Sequence, residues 1–249
     1  MTKTLRHMFH EYAFMFLFST VLLSLISSIS SVNLVRGDNL NPGIYSIDSS
    51  PKGVKYQEWT ASFWQWLYSL TTDQHPRENY TPEKCANGQK EQVWFLEAPL
   101  SGKQERTCTI PAGMPILAAI LNGQCDTSDS SLHTDEDIRK CATEGNDYGV
   151  ISGTLDGVPL KNLDKYRTDS GFYNITHVAD NIYDLPAGGP YRAFTNGYFV
   201  FLEPPTPGKH DLHLTVSVAN PIDPQYNYAA DWTYHLNIVP SNSTETQTS

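Results

Sequence analysis

The alternation of apolar and polar residues is clearest near the C-terminus. In 212–218 every even-numbered residue is Leu or Val and every odd-numbered one is polar, and 232–238 repeats the pattern from Trp232 onward. A period of two is typical of a strand that is buried on one face and solvated on the other. These segments therefore predict two antiparallel strands of one sheet.

Shorter strands are predicted through the middle of the chain, separated by Pro- and Gly-rich turns. Asp156-Gly157 favours a tight hairpin, because its turn type needs positive φ at both central residues. The proline-rich segment 203–208 predicts a connection. Together these signals predict a mainly β fold, an antiparallel β-sandwich of Ig-like or jelly-roll-like form. The β-prone runs are 93–96, 107–110, 116–121, 150–155, 158–160 and 198–202.

One segment has helical periodicity and predicts an amphipathic helix over 56–70. Its apolar stripe comprises Trp59, Phe63, Trp66, Leu67 and Leu70. A stripe of this kind predicts a helix face packed in the core. Trp64 and Tyr68 lie off the stripe, so they are the candidates for an exposed aromatic contact with a ligand.

The N-terminus predicts export. Lys3 and Arg6 precede the segment 13–32, which has no charged residue and is rich in Phe, Leu and Ile. Residues 1–32 therefore form either a signal peptide or an N-terminal membrane anchor. The length of the apolar segment lies between those typical of the two, and both interpretations stay open. In either case the rest of the chain is predicted to be secreted or to lie on the extracellular face of the membrane. Only 13–32 is predicted to contact the membrane.

The remaining chain divides into three predicted parts. Residues 33–55 form a linker or leading edge strand, 56–240 form a single β-sandwich domain, and 241–249 form a disordered polar tail. The whole chain has 17 Lys and Arg against 27 Asp and Glu, a net charge of −10. Such a surface repels phosphate backbones, which disfavours nucleic acid as a partner and favours cations.

Four cysteines follow the export segment, and an even number in an oxidising compartment predicts two disulfides. Three pairings are open to Cys85, Cys108, Cys125 and Cys141. We favour Cys85–Cys108 and Cys125–Cys141, because the first pair joins segments that flank a predicted strand and the second brackets a polar loop. N-glycosylation is permitted at three Asn-x-Thr sequons, at Asn79, Asn174 and Asn242.

Two clusters of residues are candidate metal sites. The loop between Cys125 and Cys141 is acidic, and it is either a solvated loop or a calcium site. His213 and His235 both lie on the polar side of their strands, where a cross-strand position would allow them to share a metal ion. The carboxylates of the acidic loop are Asp126, Asp129, Asp135, Glu136 and Asp137.

Several motifs give the chain a resemblance. It resembles a group of uncharacterised exported proteins of microbes over most of 56–239. The resemblance implies one continuous domain and assigns no catalytic role to any residue. The motifs are Trp59-x4-Trp64-x-Trp66, Cys85-Ala86-x-Gly88-Gln89, Val93–Leu96, Arg106-Thr-Cys-Thr-Ile-Pro-Ala-Gly113, Gly197-Tyr198 and Pro207-Gly-Lys-His210.

The sequence has no motif for nucleophilic hydrolysis, phosphate binding or dinucleotide binding. Arg106, Glu97 and Glu203 lie near apolar strands, where an ionised group needs a partner. The first hypothesis is a non-enzymatic extracellular or surface protein that binds a glycan, a cation or another surface component. The alternative is a secreted hydrolase that acts on a polymer with paired carboxylates, whose separation depends on the fold.

Overall fold

A computed structural model describes residues 41–241 except 78, 91, 223, 225 and 226. The predicted export segment, the tail from 242 onward and the sequon at Asn242 lie outside these residues. In the described part, no helix has the length and apolar character needed to cross a membrane. The regular elements are β1 (Trp94–Leu96), β2 (Gly102–Pro111), β3 (Ile116–Asp126), β4 (Gly149–Leu155), β5 (Val158–Pro159), β6 (Arg167–His177), β7 (Gly188–Leu202), β8 (Gly208–Val218), β9 (Tyr228–Val239), α1 (Tyr56–Leu67) and α2 (Asp135–Glu144).

The strands form two sheets that pack together, and the predicted β-sandwich is confirmed. One sheet has the order β1-β3-β7-β6 and the other has the order β2-β9-β8-β4-β5. Both sheets are mixed and not wholly antiparallel as predicted, because β1 pairs with β3 and β2 pairs with β9 in parallel. The alternation of residue types sets which side chains face inward but not the direction of a neighbouring strand, so the sequence did not indicate these parallel pairs.

The centre of the four-stranded sheet, formed by 116–120 of β3 and the C-terminal half of β7, is buried on both faces. Helix α1 packs on β6, β7 and β3, and its Phe63 and Tyr56 rings contact Phe199 and Phe201 with centroids 5.5 Å apart. The alternate residues of β7 are equally buried and face the other sheet. This explains the nearly continuous apolar run of 116–121, since a strand covered on both faces needs no polar side.

The helix prediction is confirmed in type and stripe, and all five stripe residues are buried. A second helix, α2, occupies the C-terminal part of the segment between Cys125 and Cys141, where the sequence analysis predicted only a loop. Thr134 and Asp137 form a capping box, in which the Asp137 N–H donates to Thr134 Oγ1 and the Thr134 N–H donates to Asp137 Oδ2. That spacing was the missed sequence signal.

Residues 41–55 pack against the domain and do not form a free linker. Ile44 is fully buried and bridges to Leu202, and the Tyr45 N–H donates to the Phe201 carbonyl at 2.7 Å. For 41–55, the described part of 33–55, the leading-edge interpretation fits better than that of a linker.

The predicted hairpin between β4 and β5 is confirmed, with φ of 51° at Asp156 and 76° at Gly157. Replacing Gly157 with alanine is expected to destabilise the protein by about 1 kcal/mol, because a Cβ is strained at positive φ. Gly145 is the matched control. A Cβ meets no atom within 4 Å at either glycine, and Gly145 has a helical φ of −67°. Urea denaturation would contradict this expectation if both alanine variants lost equal stability.

Candidate functional site

A cavity of about 530 Å³, here called the end cavity, lies at one end of the sandwich. Its walls come from 120–123 of β3, the segment after β1, the end of α2 and the adjoining ends of β8 and β9. Strand β1 pairs with only three residues of β3, Ile116 to Ala118. The cavity therefore occupies the space beside the part of β3 that extends beyond its short partner.

Most of the cavity wall is apolar. It includes Ala98, Pro99, Leu100, Ile120, Leu121 and Val218. The Cys125–Cys141 disulfide adds to the wall and joins α2 to β3. Helix α2 lies so close to β3 that a Cβ on Gly123 would come within 2.4 Å of the Ala142 carbonyl oxygen. The close packing of α2 on β3 therefore fixes this part of the cavity wall.

An ion pair forms one polar part of the cavity lining, here called the polar end; the other polar side chains of the lining are Asn122, Glu144 and Asn146. The Arg77 guanidinium donates from Nε to Glu97 Oε1 at 2.8 Å and also from Nη2 to the same oxygen. The side chain of Glu97 is 1% exposed and that of Arg77 is 19% exposed. Burial lowers the pKa of Arg77, but the Glu97 carboxylate outweighs burial and the pKa is raised. Arg77 is therefore a fixed cation at the cavity.

A second guanidinium lies behind the first. Arg106 is 1% exposed and donates to the Glu97 carbonyl at 2.9 Å and to the Tyr234 hydroxyl at 3.1 Å. It also donates twice to Gln104 Oε1 and lies 4.7 Å from the centre of the Tyr80 ring. Within the described ranges, no carboxylate forms an ion pair with Arg106. Neutral hydrogen-bond acceptors and the face of the Tyr80 ring therefore stabilise its positive charge.

His75 is a buried, neutral group beside this cluster. Its Nδ1 accepts a hydrogen bond from the Arg77 backbone N–H at 3.2 Å. Burial, and then the positive charges of Arg77, Lys84 and Arg106, lower the pKa of His75 to about 3. The histidine therefore adds no charge at neutral pH, and the cluster consists of two guanidinium groups and one carboxylate.

Tyr228 fixes the segment that follows β1. Its hydroxyl donates to the Pro99 carbonyl at 2.6 Å, and burial followed by the charge of Glu97 raises its pKa to about 12. The tyrosine is therefore neutral over the physiological range, and it holds one wall of the end cavity against the start of β9.

A second concave region of about 530 Å³, the outer groove, lies on the solvent face of the five-stranded sheet. Its histidines pair with its carboxylates: His210 Nδ1 lies 2.8 Å from Asp156 and His235 Nδ1 lies 2.7 Å from Asp211. The Asp211 carboxylate raises the pKa of His235, and at His210 the Asp156 carboxylate outweighs burial to raise it too. The outer groove is therefore lined by His–Asp pairs, whereas the end cavity is lined mainly by apolar side chains.

The two histidines predicted to share a metal ion each have a different carboxylate partner. His213 Nε2 lies 2.8 Å from Asp231, and His235 also lies 3.0 Å from Glu105. Among the residues that the structure describes, no three His, Cys, Asp or Glu side chains are grouped to hold a metal ion. Metal binding by His213 and His235 stays a prediction.

The five carboxylates between Cys125 and Cys141 serve separate local contacts. Asp126 is buried against His177 Nε2 at 3.1 Å, and Asp135 accepts both hydrogen bonds of a fork from Arg192 at 2.7 Å. The other three lie at the surface: Asp129 accepts from Ser131, Glu136 pairs with Arg139, and Asp137 caps α2. Calcium binding here also stays a prediction.

The expected exposure of Trp64 and Tyr68 is wrong, since the two residues are 5% and 4% exposed. Helix α1 is covered on more than its apolar stripe, because Tyr68 stacks on His177 with ring centroids 4.4 Å apart. Its hydroxyl donates to Gln124 Oε1 at 2.8 Å. Neither ring offers a surface for stacking a sugar.

The favoured disulfide pairing is confirmed. Cys85–Cys108 and Cys125–Cys141 have Cα atoms 5.7 and 6.0 Å apart. The first pair is buried, while Cys141 in the second is exposed. Asn79 and Asn174 are both exposed, so their use as glycosylation sites stays a prediction that the surface permits.

Arg77 and His75 carry no sequence signal that marks them as site residues. Both lie in an irregular segment between α1 and β1, without periodicity or motif. Glu97 and Arg106 were noted as groups that need partners. The partner of Glu97 is the cation of Arg77, whereas the partners of Arg106 are neutral acceptors.

No family model matches the chain, and no curated protein matches it. Among solved structures, the solution structure of amebosin matches with a TM-score of 0.20 and 14% identity, over 56% of this chain and 98% of that chain. A TM-score this low carries no argument about fold or function. The resemblance to exported microbial proteins therefore stays a prediction from the sequence motifs.

Proposed function

We propose that the chain is an exported binding protein that holds a small, largely apolar molecule in the end cavity. The observation that carries this proposal is the combination of a volume of about 530 Å³, a mostly apolar wall and a few polar side chains. Ligand sites in proteins typically occupy about 300–1,000 Å³, with mostly apolar linings and a few polar groups that orient the ligand.

Export is supported by the two disulfides, which form and persist in oxidising compartments. A glycan is less well supported as the ligand, because the aromatic rings expected to stack on it are buried. The alternative of a hydrolase would use Glu97 and Glu144, the two carboxylates that line the end cavity. Each already pairs with a cation, Arg77 and Lys140 respectively, so binding is the better supported function.

The test uses N-phenylnaphthylamine, a neutral apolar dye that fluoresces when bound. The protein is expected to bind this dye, and Ala98→Phe is expected to weaken binding at least about ten-fold, because a ring would occupy the cavity where Ala98 lines it.

Ala187→Phe provides the matched control, because Ala187 is exposed and lies outside the cavity lining. It is expected to bind the dye like the unmodified protein. Absence of dye binding, or equal binding by all three proteins, would overturn the proposed function.

A further inference from the structure

We propose that the end cavity selects organic anions, namely small molecules with an apolar body and a carboxylate that meets the guanidinium of Arg77. This inference rests on the proposed binding function and adds the chemical class of the ligand. Three features support it: the hydrogen-bond donors at the polar end, the charges around them, and the burial of the Glu97 carboxylate oxygens.

Arg77 has unused hydrogen-bonding capacity at the cavity. Two of its nitrogens, Nε and Nη2, donate to Glu97, whereas Nη1 has no hydrogen-bond partner among the described residues. The side chain is 19% exposed and lines the cavity. A guanidinium is a planar fork of donors that matches a carboxylate, so Arg77 offers a second anion a directional contact.

The charge around the polar end favours an anion. Arg77 and Arg106 both hydrogen-bond to Glu97, the first through the side chain and the second through the carbonyl. The neighbouring histidine is neutral, so at this end two positive charges lie beside one buried carboxylate. Glu144, the other carboxylate of the lining, is 62% exposed and pairs with Lys140 at 3.4 Å. A ligand carboxylate would balance the remaining positive charge in a region of low dielectric, where such a contact is stronger than in water.

A cationic ligand finds less to bind at the polar end. Glu97 Oε1 already accepts from Arg77, and Oε2 is fully buried without a hydrogen-bond partner in the described part of the chain. A ligand in the cavity therefore does not reach that oxygen. The net charge of −10 repels anions at long range, but salt screens this repulsion beyond about 8 Å at physiological ionic strength.

The experiment compares three compounds that share one apolar body: phenylbutanoate, phenylbutanamide and phenylbutylamine. Each displaces N-phenylnaphthylamine from the unmodified protein, which gives its affinity. The carboxylate is expected to bind about ten-fold or more tighter than the amine, with the amide between them. An amine that binds as tightly as the carboxylate would overturn this inference while leaving the proposed function intact, because the dye would still bind.

Two variants separate a binding role of Arg77 from a structural one. Glu97→Gln keeps a hydrogen-bond acceptor for Arg77 but removes the negative charge, so the affinity for phenylbutanoate is expected to rise. The double variant Arg77→Met with Glu97→Met replaces the pair with apolar side chains, and the preference for carboxylate over amide is expected to fall to about two-fold or less. A carboxylate preference unchanged in both variants would also overturn the inference.

Discussion

Arg77→Met is expected to destabilise the protein by about 3–5 kcal/mol, because it leaves the buried Glu97 carboxylate without its cation. Glu97 is 1% exposed, so water cannot replace the lost hydrogen bonds. Adding Glu97→Met in the same chain is expected to restore most of the stability, since the second substitution removes the unpaired charge. Urea denaturation of the two variants measures both effects.

The matched control is Arg192→Met, which breaks an exposed pair. Arg192 and Asp135 have side chains that are 49% and 52% exposed, and exposed pairs contribute about 1 kcal/mol or less. A loss for Arg77→Met no larger than that for Arg192→Met would contradict the expectation. So would a double variant as unstable as Arg77→Met alone.

Acid is expected to destabilise the protein through His75. Its pKa is lowered to about 3 in the folded chain, while an unfolded histidine titrates near 6.5. Between these two values the unfolded chain binds a proton that the native chain does not, so stability falls as the pH falls. The slope is about 1.4 kcal/mol per pH unit for this one group, and its contribution is fully present above pH 6.5.

His75→Asn tests this expectation, because the asparagine oxygen can accept the Arg77 N–H as Nδ1 does but takes up no proton. The free energy of unfolding, measured from pH 7 to pH 4, is expected to depend less steeply on pH in this variant. His133→Asn removes an exposed histidine and serves as the control. Identical pH profiles for the unmodified protein and His75→Asn would exclude His75 as the source of acid sensitivity.

The fold class could be predicted from the sequence because burial on one face imposes a visible period. This period marked strands β8 and β9 and the stripe of α1, and the Asp156-Gly157 dipeptide marked a turn. Each of these predictions is confirmed. Strand β6 was not predicted, since its burial does not alternate regularly and its register with β7 shifts twice. Helix α2 was missed because its charged residues outweighed its two buried ones, Ile138 and Ala142.

The candidate site could be predicted only in part, because it depends on contacts between distant segments. Glu97 and Arg106 stood out as charges beside apolar strands, but Arg77 reaches them from a segment with no regular structure. The volume of the end cavity follows from where β1 stops and where α2 packs. Local composition predicts neither the end of β1 nor the packing position of α2, so the cavity could not be predicted from the sequence.

Strands β2 and β9 pair although they lie far apart in the chain, and this separation sets the order in which the five-stranded sheet can assemble. Within the described part of the chain, β2 has β9 as its only partner strand. Synthesis from the N-terminus completes β2 well over a hundred residues before β9 exists. Until then the strand lacks its ladder of hydrogen bonds, whereas Cys85 and Cys108, 23 residues apart, are both available early. The Cys85–Cys108 bridge can thus tether β2 to the preceding segment before the last strand completes the five-stranded sheet.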